Sequence, residues 1–283
     1  MPEAPEVTYI THQMHNAIHG RILHDVEILK GRYITHGPPA HYKDFHKALP
    51  LRCESVKNKG KVIFITFEKN WTIIVKLGLT GWLYTTNMPK WKPDFKNVLF
   101  YFGHNHTAES SPGPDTMTFT DVRSYGTLTF TQNNELITKE HEKLGLDIMN
   151  PVTTWPVFWD KVNIIISKKS VNGETIENLI TDQKRLVCGI GNYLKAEVFY
   201  KARIAPMRKV ATLSKKEWET LFKAMKSKTK QMYKALHREH HHIGSYMKAM
   251  NVYRREKDPY GNEVKTYKTS TGRTTHWVPA VQK

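Results

Sequence analysis

Residue 2 is Pro, and two carboxylates, Glu3 and Glu6, follow it within about one helical turn. Removal of the initiator Met before so small a residue leaves a secondary α-amine. Such amines titrate near ~7.7–8.0, so a useful share is unprotonated at neutral pH. A secondary amine attacking a sugar C1′ gives an iminium ion, an electron sink that acidifies the C2′ hydrogen and opens a route to β-elimination. Glu3 and Glu6 are spaced to move protons to a sugar ring oxygen or from the amine. The same residues would equally serve to start a helix, with Pro in its first turn and acids at the positive end of its dipole.

Three further groups carry chemistry. Gly189-Ile190-Gly191-Asn192 stands before a helical pattern, where backbone N–H groups and the Asn192 amide could take a phosphate, or where an ordinary turn could lie. Leu79, in LGLTGW, and Arg123 and Tyr125, in DVRSYG, supply an apolar wedge, a cation and a ring that could fill the gap left by an extruded base, or simply serve core and surface. Near the C-terminus Arg254, Arg255, Lys257, Lys265, Lys268 and Arg273 crowd one short element with Tyr253, Tyr260, Tyr267 and Trp277. Arg273 is expected at a Gly-opened turn tip, where a guanidinium takes a phosphate bidentately, although a solvated basic strand has the same composition. The run His240-His241-His242 lacks matching cysteines, and adjacent residues cannot all face one ion, so it reads as a solvated helix end.

These residues need elements to hold them. Val7, Ile10, Met14 and Ile18 recur at helical spacing over residues 5–19. From 21 to 131 the chain breaks into short β-branched or aromatic runs (21–29, 61–67, 72–76, 98–102, 117–120, 127–131), which predict a sandwich or barrel. Residues 104–115 form a polar loop, and 132–134 look like linker. Helical patterns follow at 155–167, 173–182, 192–202 and 214–236. The last opens with SKKE, a capping box. The middle two flank LVCGIGN, giving helix–two turns–helix, and 252–278 returns to a β-hairpin with turns at DPYGN and STGR.

Composition bounds the partner. In 283 residues, 43 Lys and Arg face 26 Asp and Glu, a net charge of +17 that calls for a polyanion. Two cysteines, Cys53 and Cys188, exclude a disulfide framework and any four-Cys metal site. No apolar run approaches the ~20 residues that span a bilayer, and the N-terminus lacks a basic segment followed by an apolar one. The expectation is an intracellular, nucleic-acid-associated protein without a membrane anchor.

Taken in order, the motifs resemble one family, the Fpg/Nei DNA glycosylases of base excision repair, over nearly the whole chain. MPEAPEV resembles the family start, with Ala4 where Gly is usual. KNKGKVIFITF resembles the strand with the phosphate-binding lysine, which puts that role on Lys61. KLGLTGW and DVRSYG resemble the void-filling loops, which assigns Leu79, Arg123 and Tyr125. ITDQKRLVCGIGNYLKAEVFYKARIAP resembles the helix–two turns–helix (H2TH) signature with Asn192 on phosphate, and VYRREKDPYGN…GRTTHWVPAVQ resembles the terminal finger with Arg273 at its tip. Many bacterial members fold that finger around zinc held by four cysteines. Residues 251–283 here contain none, so it resembles the zincless variant of an animal Nei-like branch, some plants and a giant DNA virus.

The resemblance implies an α+β multidomain fold. An N-terminal helix and eight-stranded-type β-sandwich would form a catalytic domain over 1–131. A linker (132–150), an H2TH domain (151–250) and a zincless finger hairpin (251–283) would follow. It implies a bifunctional DNA glycosylase/AP lyase that works without cofactor or metal, as a monomer, on damaged duplex DNA bound in a basic inter-domain cleft, with single-stranded and abasic DNA as further substrates. Pro2 would attack C1′, Glu3 would protonate the ring oxygen, Glu6 would orient the amine, and β,δ-elimination would leave a one-nucleotide gap. The short 240–250 segment, where an 8-oxoguanine-directed branch carries a long capping loop, suggests oxidised pyrimidines and hydantoins. A catalytically silent damaged-DNA-binding protein and an AP lyase without base excision stay open as alternatives.

Overall fold

A computed structural model describes residues 1–85, 95–102, 116–171, 173–238 and 249–283. The polar loop at 104–115 and the histidine run lie outside the described residues. The chain divides into two compact units, Met1–Pro2 with Glu6–Glu142, and Glu3–Pro5 with Lys143–Lys283.

The first unit holds most of helix α1 (Ala4–Ile18) and two antiparallel sheets. The predicted stripe is the buried one: Val7, Ile10, Met14 and Ile18 are fully enclosed. Strands β1 (Ile22–Leu23) and β2 (Asp25–Ile28) precede two short helices, α2 (Arg32–Thr35) and α3 (Tyr42–Ala48). Then come β3 (Leu51–Lys59), β4 (Val62–Phe67), β5 (Thr72–Lys76), β6 (Trp82–Thr85), β7 (Val98–Tyr101), β8 (Thr116–Thr120) and β9 (Thr127–Thr131). One sheet runs β1-β3-β4-β5-β9 and the other β2-β7-β8-β6. β4 is buried along almost its whole length, as its unbroken run VIFITF requires. Phe45 meets the rings of Phe67, Trp71 and Phe130 at 4.7–5.7 Å between centroids, which fastens α3 over this sheet. Asn58 Nδ2 donates to Thr8 Oγ1 at 3.3 Å, and Val56 N–H to His15 Nδ1 at 3.3 Å, laying β3 along α1.

Residues 132–150 are not a plain linker. They contain helix α4 (Asn134–Glu142) and strand β10 (Leu146–Asp147). α4 has no buried residue, so it lacks the apolar stripe by which a sequence announces a helix. Its anchor is polar: Lys76 Nζ lies 2.9 Å from Glu140, and Lys59 Nζ donates to the His141 carbonyl at 2.9 Å.

The second unit continues with α5 (Trp155–Ile166), α6 (Ile176–Thr181), β11 (Val187–Cys188), α7 (Asn192–Ala202), α8 (Lys215–Arg238) and the hairpin β12 (Lys265–Lys268)–β13 (Thr274–Trp277). The capping box forms as its spacing predicts. Ser214 N–H donates to Glu217 Oε2 at 2.8 Å, and Glu217 N–H returns a bond to Ser214 Oγ at 3.3 Å. The Arg208 guanidinium against Glu217 holds that carboxyl down at about 2. The helix α7 is buried on all sides, Lys195 and Glu197 included. No helix among the described residues is long and apolar enough to cross a membrane.

Candidate active site and nucleic-acid interface

Pro2 is buried and stands immediately before the anchored residue Glu3. The Glu3 carboxylate sits on the N-terminus of α7. It accepts from Gly191 N–H at 2.6 Å, Leu194 N–H at 3.2 Å and Tyr193 N–H at 3.0 Å, while Ala4 N–H donates to the Gly189 carbonyl at 2.9 Å. This corrects the sequence expectation for the Gly189–Asn192 turn. The N–H groups of Gly191, Tyr193 and Leu194 are satisfied by a carboxylate from the same chain, not left open to a phosphate. A helix N-terminus takes whichever anion is held closest, and the chain supplies one. Asn192 itself points to the terminal hairpin, with its Nδ2 donating to the Thr274 carbonyl at 3.0 Å and its buried Oδ1 unpartnered. Glu6, one turn further along α1, is also buried.

In the first unit Lys61 stands in the two-residue turn Gly60-Lys61 between β3 and β4, whose last paired residues are Lys59 and Val62. The loops carrying Leu79, Arg123 and Tyr125 pack backbone to backbone. Gly78 has φ +62°, and a Cβ there would meet the Tyr125 carbonyl carbon at 2.7 Å, so only glycine lets the two loops touch. All three side chains face outward, Leu79 at 38% and Tyr125 at 61% of full exposure. Exposed apolar groups on so rigid a base are unusual unless something covers them.

Sequence reasoning missed what makes that base rigid. Asp121 is buried, and its carboxylate accepts from the Thr80 hydroxyl and from Gly126 N–H. Thr80 Oγ1 accepts from Arg123 N–H at 3.1 Å, and Asn97 Oδ1 accepts from Asp121 N–H at 2.5 Å. One carboxylate thus gathers both loops. The only signal in the sequence was its position at the head of DVRSYG.

Arg273 is exposed on the turn between β12 and β13, where Gly272 at φ +74° closes the bend and Thr269 N–H donates to the Arg273 carbonyl at 2.8 Å. The hairpin is fixed from beneath by polar groups no spacing argument singled out. Glu177 of α6 and Lys195 of α7, 3% and 2% exposed, pair at 3.1 Å. Glu177 also accepts from Tyr267 OH at 2.7 Å and Thr275 Oγ1 at 2.6 Å, and Lys195 Nζ donates to Thr275 Oγ1 at 2.6 Å. Burial pulls the Lys195 pKa below its usual value and pushes the Tyr267 phenol up. A second buried pair, Lys228 with Glu197 at 3.0 Å, holds the residues before the hairpin, because Glu197 accepts from the N–H groups of Asn251, Val252 and Tyr253 at 2.8–3.0 Å. In the DPYGN turn Asp258 accepts from Tyr260 and Asn262 N–H, and from Tyr200 OH at 2.9 Å, which with burial raises the Tyr200 pKa to about 12.

The aromatic residues of this element differ in their burial. Tyr253 lies 5.0 Å from His276 and joins the cluster of Ala196, Tyr200, Val252 and Val278, whereas Tyr260 is exposed. Burial, with Arg254 nearby, lowers the His276 pKa.

Three domain models match in the same order as these regions: the formamidopyrimidine-DNA glycosylase N-terminal domain at residues 1–128, its H2TH domain at 158–246 and its C-terminal domain at 248–283. The chain belongs to the formamidopyrimidine-DNA glycosylase (Fpg/Nei) family. It is an enzyme of the class that family's name gives, a DNA glycosylase. Among relatives, the formamidopyrimidine-DNA glycosylase of Listeria innocua is 28% identical over 295 residues, covering all of both chains, and that of Carboxydothermus hydrogenoformans is 26% identical with the same coverage. The fold is that of the Lactococcus lactis enzyme bound to abasic-site DNA (TM-score 0.78, 19% identity, 99% of each chain). The same enzyme with a FAPY-dG-containing DNA matches equally well (TM-score 0.78, 18% identity, 99% of this chain and 100% of that one).

Proposed function

We propose that this family member excises oxidised bases from duplex DNA and then cleaves the strand, using the Pro2 amine as nucleophile. The observation that carries the reading is the family start, Pro2-Glu3, with Glu3 fixed on the N-terminus of α7 by three backbone N–H groups. A residue so tightly held leaves its neighbour little freedom, and a nucleophile gains most from being positioned before substrate arrives.

Lys61 and Arg273 hold phosphates of the damaged strand, with Asn192 adding the Nδ2 hydrogen that Thr274 does not take, and Leu79, Arg123 and Tyr125 occupy the space of the extruded base. The Pro2 nitrogen attacks C1′ and the base departs. Glu3 assists at the ring oxygen and Glu6 orients the amine. The iminium acidifies C2′–H, and β- then δ-elimination releases the sugar and leaves a one-nucleotide gap. No external cofactor or metal takes part, and the monomer suffices. Oxidised pyrimidines and hydantoins are the proposed lesions; the segment behind that preference, residues 240–250, lies almost wholly outside the described residues.

Borohydride trapping on a lesion-containing oligonucleotide tests the reading. A covalent protein–DNA adduct forms with the mature chain and disappears when the N-terminus is extended, because the extension removes the secondary amine. Absence of any adduct from folded protein of verified mass lacking Met1 overturns it. A panel adding formamidopyrimidine lesions, after which the relatives are named, tests the substrate preference. Activity confined to abasic DNA would reduce the function to that of a lyase.

A further inference from the structure

Beside the loop of Arg123 and Tyr125 the first unit carries an open cleft of about 620 Å³, lined by Lys30, Arg32, Ile34, His36, Phe95 and Ser124 among others. Ser124 is the residue between Arg123 and Tyr125, so the cleft begins one position from the two exposed side chains of that loop. Its chemistry is of one sign. Lys30 and Arg32 bring two fixed positive charges, and none of the described lining residues carries a carboxylate. It also has an apolar floor: Ile34 is strongly exposed, and Lys30 Nζ lies 5.9 Å from the centre of the Phe95 ring.

The cleft and the loop are one rigid piece. The buried side chain of Asn97 donates from Nδ2 to the Lys30 carbonyl at 3.5 Å and to the Asp121 carbonyl at 3.4 Å. The Asn97 backbone carbonyl accepts from Leu29 N–H at 2.8 Å and Lys30 N–H at 3.2 Å. Asp121 in turn braces both loops. The segment with Lys30 and Arg32 is therefore tied, through two buried side chains, to the position of Arg123 and Tyr125.

We infer that this cleft is a nucleotide site for the strand complementary to the lesion. Cations beside an aromatic and an aliphatic side chain are what a nucleotide needs: phosphate on Lys30 and Arg32, base against Phe95 and Ile34. The inference rests on the proposed role of Arg123 and Tyr125. Side chains that fill the space of an extruded base abut the opposite strand, and the cleft opens one residue further along the same turn.

The test is fluorescence anisotropy with two probes, a duplex containing a tetrahydrofuran abasic analogue and the same lesion strand alone. Phe95→Ala and the pair Lys30→Ala with Arg32→Ala should each weaken duplex binding about tenfold, and leave single-strand binding within about twofold. Lys30→Glu, at an exposed position, checks the electrostatic half without risk to folding. Equal losses on both probes, or unchanged duplex binding, overturn the inference. Failure of the wild-type protein to prefer the lesion duplex over undamaged duplex would instead count against the proposed function. A duplex-selective loss in the variants would still support the cleft.

Discussion

The two-loop platform of the first unit and the terminal hairpin of the second solve one problem with different chemistry. Each presents exposed side chains (Leu79, Arg123 and Tyr125 in one, Arg273 in the other) from turns that have little apolar packing of their own. Each turn is gathered onto a buried carboxylate. Asp121 is met by neutral donors, the Thr80 hydroxyl and the Gly126 N–H. Glu177 and Glu197 are met by buried lysines as well. A neutral brace fails in part when altered, because the freed groups can turn to water. An ion pair fails outright when halved, because the surviving charge is left without compensation in a region of low polarity. The platform should therefore respond to mutation by degrees and the hairpin abruptly.

The hairpin gives the largest expected effect. Lys195→Met removes one partner of the buried pair and strands Glu177 together with Tyr267 and Thr275, and should destabilise the protein by about 3–5 kcal/mol. Urea denaturation measures this. Adding Glu177→Gln to Lys195→Met should restore much of the loss, since it removes the charge left unpaired. A single variant as stable as wild type would mean that the pair does not brace the hairpin. Asp121→Ala comes next, with about 1–3 kcal/mol for the donors left unsatisfied. It should lower excision from a lesion duplex more than it lowers binding to undamaged DNA, and Asp121→Asn, which keeps an acceptor for Thr80, should fall between. If excision and undamaged binding decline together, Asp121 supports the unit generally and not the loops.

The contrast also explains what could be read from sequence. The stripe of α1 was legible because Val7, Ile10, Met14 and Ile18 are apolar at the spacing of one face, and burial follows type. The tip at Arg273 was legible because a glycine marks it, whereas Lys61, expected at the head of a strand, stands in the turn before it. The braces were not legible. Asp121, Glu177, Lys195 and Glu197 are residue types found mostly on surfaces, and they are buried here only because partners distant in sequence meet them. Thr275 is 80 positions from Lys195. α7 hides its role further. With apolar residues around its whole circumference it has no polar face, and Lys195 and Glu197 read as its exposed positions when they are among its most enclosed. The capture of the Gly191, Tyr193 and Leu194 N–H groups by Glu3 joins positions nearly 190 residues apart, which no local pattern reports.

Arg273→Ala ranks third. The side chain is exposed and the turn is closed by its backbone, so melting should be unchanged. Affinity for lesion DNA should fall evenly across sequences, and the slope of log affinity against log salt should become shallower by about 1, as for loss of one phosphate contact. An unchanged slope would remove Arg273 from the interface.

The smallest effect is an expected zero, and it tests whether the hairpin's polar brace is sufficient. Zinc in a small finger contributes folding energy outright, and its removal unfolds the element. In residues 251–283 there is no cysteine and one histidine, His276, whose pKa is lowered by burial and by neighbouring positive charge, surroundings that disfavour a cation. What would otherwise be metal's work falls to Glu177 with Tyr267 and Thr275, to Glu197 with the N–H groups of 251–253, and to Asp258 with Tyr200. Prolonged EDTA treatment should leave both the melting curve and the borohydride-trapped adduct as they were. A loss of either that zinc restores would mean that the carboxylates brace an element which a metal must first fold.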